Sequence, residues 1–242
     1  MDPAIARQLI QLNRDFYDQM ASPFAASRTA PLPGVERLLA HVPADSALLD
    51  VGCGGGQLAV ALDRLERRVC YIGVDASLPL IEQARQITAG LPNTQVEFLV
   101  QDVTAPGWLD ALPGHPYQTI AALALLHHIP GAAHRVDLLH ALGASLAPGG
   151  CLLISTWQFL NSPRLRHRQQ PWSRIGLQPD DLEPGDYLLD WQRAGYGLRY
   201  CASIDQVALA HLAAAAGLEV IESFHAGRDN LNLCAALRQA VA

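Results

Sequence analysis

The chain contains no lysine: all 17 basic residues are arginine, set against 23 acidic ones, for a net charge of −6 and a pI near 5.8. The missing lysine excludes a phosphate-binding loop of the G-x-x-x-x-G-K-[ST] kind, and the acidic balance excludes a global positive field for nucleic acid or an anionic membrane. A locally basic surface stays open. Cysteine is scarce. Cys53, Cys70, Cys151, Cys201 and Cys234 have no C-x-x-C spacing, which argues against a disulfide frame or a zinc site and predicts reduced, buried thiols in a cytoplasmic protein. No apolar run reaches membrane-spanning length, no signal h-region opens the chain, and internal repeats are absent. What is present is 242 residues, half of them hydrophobic, enough for one large α/β domain with at most a small appendage.

The most informative stretch is Leu48-Leu49-Asp50-Val51-Gly52-Cys53-Gly54-Gly55-Gly56-Gln57, read as a buried strand, a glycine-rich turn and a helix beginning near Leu58. Glycines there let the backbone take positive φ and approach a ligand, while the helix aims unpaired N–H groups at the same space. Gly52, Gly54 and Gly55 give G-x-G-G, so the dinucleotide fingerprint G-x-G-x-x-G is not met. A second strand, 69–75, ends in Asp75 about twenty positions past the glycines, where a carboxylate accepts from two ribose hydroxyls at once. Its structural alternative is a cap for the helix starting near Ser77. A third strand, 96–100, precedes Asp102; a fourth, 117–123, runs into Ala124-Leu125-Leu126-His127-His128; and a fifth, 151–155, follows a helix closed by Pro148-Gly149-Gly150. Strands at 217–224 and 231–237 end the chain, the helix before them opening on Ser203-x-x-Gln206. Ahead of the sheet, apolar spacing predicts a helix over residues 4–20, stopped by Pro23, so that residues 1–45 form a cap over the crevice.

The segment Leu49-Asp50-Val51-Gly52-Cys53-Gly54-Gly55-Gly56 resembles motif I of the class I S-adenosylmethionine methyltransferases, and four further motifs follow in that family's order across residues 48–155. The resemblance implies a Rossmann-like α/β fold: a seven-stranded, mostly parallel sheet with an antiparallel last strand and helices on both faces. It implies S-adenosylmethionine as cofactor, with Asp50, Gly52, Cys53 and Gly54 near its amino-acid moiety, Asp75 and Ala76 at the ribose, Asp102 and Val103 at the adenine, and Leu125 lining the site. A narrower similarity runs over nearly the whole chain. Phe16-Tyr17, Pro23-Phe24, Ser27-Arg28, Leu126-His127-His128, residues 185–191 and Arg199-Tyr200 resemble the tRNA wobble-uridine carboxymethyl methyltransferases, which esterify the carboxylate of 5-carboxymethyluridine and in some cases work with a small activating subunit.

Methyl transfer to a carboxylate needs no general base, but it needs a cation to hold the acceptor, ideally the bidentate fork of arginine. Arg28 and Arg199 are the first candidates and Arg193 the third; His127 or His128 would be the base if the acceptor were a phenol or an amine. A metal role for the two histidines is disfavoured, because adjacent residues seldom point at one ion. Residues 157–200 read as a substrate-side insertion carrying Arg164, Arg166, His167, Arg168 and Arg174 without an acid among them, a block suited to RNA. Two other functions stand beside the tRNA reading: a small-molecule methyltransferase with the insertion as a pocket lid, and a non-catalytic scaffold for a partner.

Overall fold

The structure, a computed structural model, describes residues 1–26, 32–113, 116–192 and 195–240. Its centre is a sheet of seven strands: β1 (Ser46–Val51), β2 (Val69–Asp75), β3 (Thr94–Val100), β4 (Tyr117–Leu123), β5 (Leu146–Trp157), β9 (Leu218–Ala226) and β10 (Asn232–Gln239). They are ordered β3-β2-β1-β4-β5-β10-β9. β1 to β5 pair parallel, and β10 is inserted antiparallel between β5 and β9. The family expectation for the sheet holds. Because both faces are covered, alternate residues of each strand feed two different cores. Leu49, Val51, Ile72, Val74, Leu152 and Ile154 join one, with α5 (Ala132–Ala144) and α7 (Gln206–Ala215). Leu48, Val69, Tyr71, Cys151 and Leu153 join the other, with α2 (Val35–Leu38), α3 (Gln57–Arg64) and α4 (Leu78–Ile87). The order reverses between β1 and β4, and a parallel sheet opens its ligand crevice at such a switch point, beyond the carboxyl ends of the strands.

Four local expectations give way. The helix α1 spans Pro3–Ala26 with Pro23 inside it. Proline removes one late backbone bond there but leaves the following residues free to keep helical dihedrals. β5 starts five residues earlier than expected and runs through Pro148-Gly149-Gly150, at the cost of a register shift against β4 between Tyr117 and Thr119. The cap of α7 is Asp205, which accepts from the Ala208 N–H at 2.8 Å, and not Ser203. Cys70 is exposed, while the other four thiols are buried and all five are free.

The insertion is built on strands, as its aromatic-rich segments 185–191 and 197–201 lead one to expect of a hairpin. It folds into a second small sheet, β6 (Gln169–Gln170), β7 (Asp186–Trp191) and β8 (Gly197–Ala202), preceded by α6 (Pro163–Arg166). β8 is its edge, and α1 covers that edge through one side chain. The Asn13 carbonyl oxygen accepts from the Tyr200 N–H at 2.8 Å, and its amide donates to the carbonyls of Tyr200 and His128, both at 3.2 Å. A side-chain amide thus takes the place of a neighbouring strand. Phe16 lies so close to Gly197 that a Cβ there would meet its ring at 2.8 Å. Asn13→Leu should therefore destabilise the protein by about 1–3 kcal/mol in urea titrations, the cost of leaving the buried Tyr200 N–H unpaired. Asn13→Asp should cost at least as much, since a carboxylate would face two carbonyls.

Candidate active site

The turn after β1 is fastened to β2 before any ligand is considered. The N–H groups of Gly52 and Cys53 both donate to the Val74 carbonyl, at 2.8 and 3.0 Å. Gly52, Gly54 and Gly56 all take positive φ, at 73°, 53° and 80°. They do different work. A Cβ on Gly56 would press on the Ala84 backbone at 3.2 Å, so this glycine brings the turn against α4. A Cβ on Gly54 would meet nothing within 4 Å, because its open side faces the crevice. The Gly54 N–H donates to one oxygen of Asp75 and the Ser77 N–H to the other, both at 2.9 Å. Each oxygen keeps a further acceptor position.

Burial raises the Asp75 carboxyl above its ordinary range, against the pull of the Ser77 and Gly54 amides. Asp50 is only 3% exposed and accepts from the Tyr71 hydroxyl at 2.5 Å. Burial pushes it up to about 7, opposed by the Tyr71 hydrogen bond and assisted by the charge of Asp75. The Cys53 thiol is driven well up by burial and by both acids, so it stays protonated. One wall of the crevice is thus acidic and partly protonated.

All nine residues expected at a cofactor, Asp50, Gly52, Cys53, Gly54, Asp75, Ala76, Asp102, Val103 and Leu125, line one cleft at the strand ends. Ala124 in the same lining holds φ at 55°, fixed by its N–H donating to the Ser155 carbonyl and hydroxyl, the kind of backbone strain that collects at functional sites. The residues expected at the acceptor behave differently. Arg28 and Arg193 lie outside the described residues. His127 is 2% exposed, off the cleft lining, and its Nδ1 accepts from the Trp157 N–H at 3.3 Å. It is His128 that lines the cleft. Its Nδ1 faces the Tyr200 carbonyl at 3.1 Å, which can only accept, so that nitrogen carries the proton; Nε2 then accepts from the Tyr17 hydroxyl at 2.8 Å.

Arg199 is also off the lining. It is 4% exposed, boxed by the rings of Trp157, Phe16 and Trp191 at 4.7, 5.4 and 5.5 Å, and its Nε has no hydrogen-bond partner. Among the described residues no carboxylate pairs with it. Phe16 packs edge-on against Tyr17, joining this box to the cleft wall.

The sequence reading missed Arg14 as a lining residue. It reaches from α1 across the cleft to pair with Asp102, and Asn13 and Tyr17 line the cleft beside it. The available signal was the spacing of 13, 14 and 17, which puts three polar-tipped side chains on neighbouring positions of one helix. Among the described residues no three His, Cys, Asp or Glu gather as a metal group, and no helix is long and apolar enough to cross a membrane.

Comparison with known proteins places this architecture. The 1,6-didemethyltoxoflavin-N1-methyltransferase of Burkholderia thailandensis, crystallised with S-adenosylhomocysteine, superposes with a TM-score of 0.67 at 20% identity, over 100% of this chain and 92% of its own. The trans-aconitate 2-methyltransferase of Azoarcus sp. is 34% identical over 161 residues, 64% of this chain and 57% of that protein. The tRNA (carboxymethyluridine(34)-5-O)-methyltransferase of Mus musculus is 30% identical over 145 residues, 58% of this chain but 19% of that much longer protein. A sequence model of the methyltransferase domain matches residues 24–223. The chain belongs to the methyltransferase domain family.

Proposed function

We propose that the protein transfers a methyl group to a carboxylate oxygen of a small organic acid held by Arg199. The observation that carries this reading is the Arg199 guanidinium, buried without a carboxylate partner. An unpaired buried cation is costly, and stacking on aromatic faces, worth about 0.5–2 kcal/mol, offsets only part of that. An anionic acceptor supplies the missing partner. Of the three proteins reported above, the two matched by sequence have names that specify carboxylate-bearing acceptors, trans-aconitate and carboxymethyluridine. A carboxylate acceptor needs no general base, and His128 is instead engaged with the Tyr17 hydroxyl.

The residues of the cleft fit the cofactor. The open side of Gly54 admits a chain passing close to the backbone, Asp75 has an acceptor position on each oxygen for two adjacent hydroxyls, and Asp50 and Asp75 set negative charge near a cationic amino-acid end. Asp102 takes the adenine amino group. When bound, S-adenosylmethionine supplies an electrophilic methyl on sulfonium, which the acceptor oxygen takes in line as the C–S electron pair leaves on sulfur.

The small acid is favoured over RNA by how the arginine block is used. Arg168 is paired with Asp190, Arg174 bonds Gln170, and Arg166 bonds the Leu160 carbonyl. The second reading, carboxymethyluridine in tRNA, is favoured by the exposed Arg164 and by Arg174 stacked over the exposed Tyr196 ring at 5.4 Å, a pairing suited to phosphate and base.

Two outcomes follow. With methyl-labelled S-adenosylmethionine, small di- and tricarboxylic acids should take up label that alkali releases as methanol, the mark of an ester. Such label in tRNA instead would support the second reading, and only alkali-stable label would sink both. Arg199→Lys should raise the acceptor KM at least about tenfold, the loss of a charge-assisted bidentate contact, with cofactor affinity unchanged.

Cofactor affinity should also depend on pH through Asp50. Its carboxyl titrates near 7 in the free protein, and a cationic ligand favours the ionised form. Binding near pH 7 should then release a proton, and affinity should weaken as pH falls below about 7. Calorimetry in two buffers of different ionisation enthalpy measures that proton, and Asp50→Asn should abolish it.

A further inference from the structure

Asp50 lines the cleft from β1, and the side chain that holds it comes from β2. In the parallel register Asp50 stands opposite Gly73 and Leu48 opposite Tyr71, so Tyr71 and Asp50 share one face of the sheet. Opposite Asp50 a side chain is excluded: a Cβ on Gly73 would meet the Phe98 ring at 2.7 Å and the Cys53 sulfur at 3.0 Å. With no side chain at Gly73, the Tyr71 hydroxyl comes across to Oδ2 of Asp50 at 2.5 Å. Tyr71 is 1% exposed, and burial pushes its hydroxyl well up, so it stays protonated and able to donate. The other Asp50 oxygen has no hydrogen-bond partner among the described residues. The further titratable groups facing Asp50 are the Asp75 carboxyl and the Cys53 thiol. Among the described residues no arginine or histidine pairs with it.

We propose that Tyr71 is a positioning residue for cofactor binding: it holds Asp50 by one oxygen and leaves the other as counter-ion for the cofactor's cationic amino-acid end. The inference rests on the reading that Asp50 faces that end. A hydrogen bond to a carboxylate is stronger than one to a neutral carboxyl, so this contact favours the ionised acid. Burial and the charge of Asp75 both act against it. Without the hydroxyl, Asp50 would be neutral over a wider pH range, and a cationic ligand would have to expel a proton to gain its partner.

Calorimetric titration of S-adenosylhomocysteine, which carries the same amino-acid end, into the whole chain tests this without turnover. Two buffers of different ionisation enthalpy count the protons released. With Asp50 titrating near 7, the native protein should release about half a proton per ligand at pH 7. Tyr71→Phe removes the oxygen and keeps the ring, and it should move the midpoint up by about one pH unit. Release at pH 7 should then rise to about nine-tenths of a proton. Affinity should fall about fivefold at pH 7 but less than about twofold at about pH 8.5. Replacing Tyr71 by 3-fluorotyrosine, a more acidic donor of nearly the same size, should act in the opposite direction and lower the release below the native value. That variant decides the matter if Tyr71→Phe does not fold. Unchanged proton release, or an affinity loss equal at both pH values, would overturn the proposal, because a merely structural role moves neither the proton count nor the midpoint. Asp50→Asn separates the two levels. If that variant still releases the proton, the reading of Asp50 falls and the role of Tyr71 with it. If Asp50→Asn abolishes the release while both changes at Tyr71 leave it native, only the role of Tyr71 falls.

Discussion

The Asp75 carboxylate ties the turn after β1 to the start of α4, and the shape of the cleft depends on it. One oxygen accepts from Gly54 and the other from Ser77. Remove the acid, and the glycine turn loses the partner that fixes its open side toward the crevice. The same bonds explain how a buried carboxylate persists there: backbone amides supply the solvation that burial takes away, though not all of it, since the carboxyl stays raised. One residue serves as a structural fastening and keeps one lone pair per oxygen for a ligand.

Asp50, Asp75 and Asp102 line the cleft at the strand ends, Arg14 pairs with Asp102 there, and Arg199 lies off the lining against Phe16, which packs on Tyr17. Tyr17 and His128 also line the cleft, hydrogen-bonded to each other, with the His128 Nδ1 held by the Tyr200 carbonyl. Under the proposed function, keeping the acids apart from Arg199 suits a cationic donor and an anionic acceptor. Low local dielectric strengthens both attractions, and it penalises any arrangement in which one of those charges is left unpaired.

Much of this was legible in the sequence, for a local reason. Near-continuous apolar runs lead into Asp50, Asp75 and, close by, Asp102, and parallel pairing brings such ends to one edge of the sheet. The strand ends marked the place, and the resemblance to the methyltransferases supplied the nine residues expected there. What could not be read depended on contacts between distant segments. Whether His127 or His128 faces the cleft is decided by the rotation of a single 3-10 turn, Leu126–His128. Arg14 meets Asp102 only because α1 crosses the strand ends, and the apolar stripe that places α1 carries no sign of its direction. β5 was read too short because Pro148-Gly149-Gly150 looks like a turn, whereas the sheet absorbs it as an irregularity beside β4.

The roof of the site shows how a variable element is joined to a fixed one. The small sheet of residues 169–202 would otherwise present β8 as an open edge. Asn13 closes it by pairing both polar groups of Tyr200, and the same amide reaches the His128 carbonyl in the segment after β4. α1, the insertion and the catalytic sheet are thereby referred to one side chain. Arg199 sits one residue before that junction, and His128 takes its tautomer from the Tyr200 carbonyl at the junction itself. A displacement of α1 would therefore disturb the buried cation, the imidazole and the Arg14–Asp102 pair together. The surroundings of Arg199 and of Asp102 are thus both referred to α1.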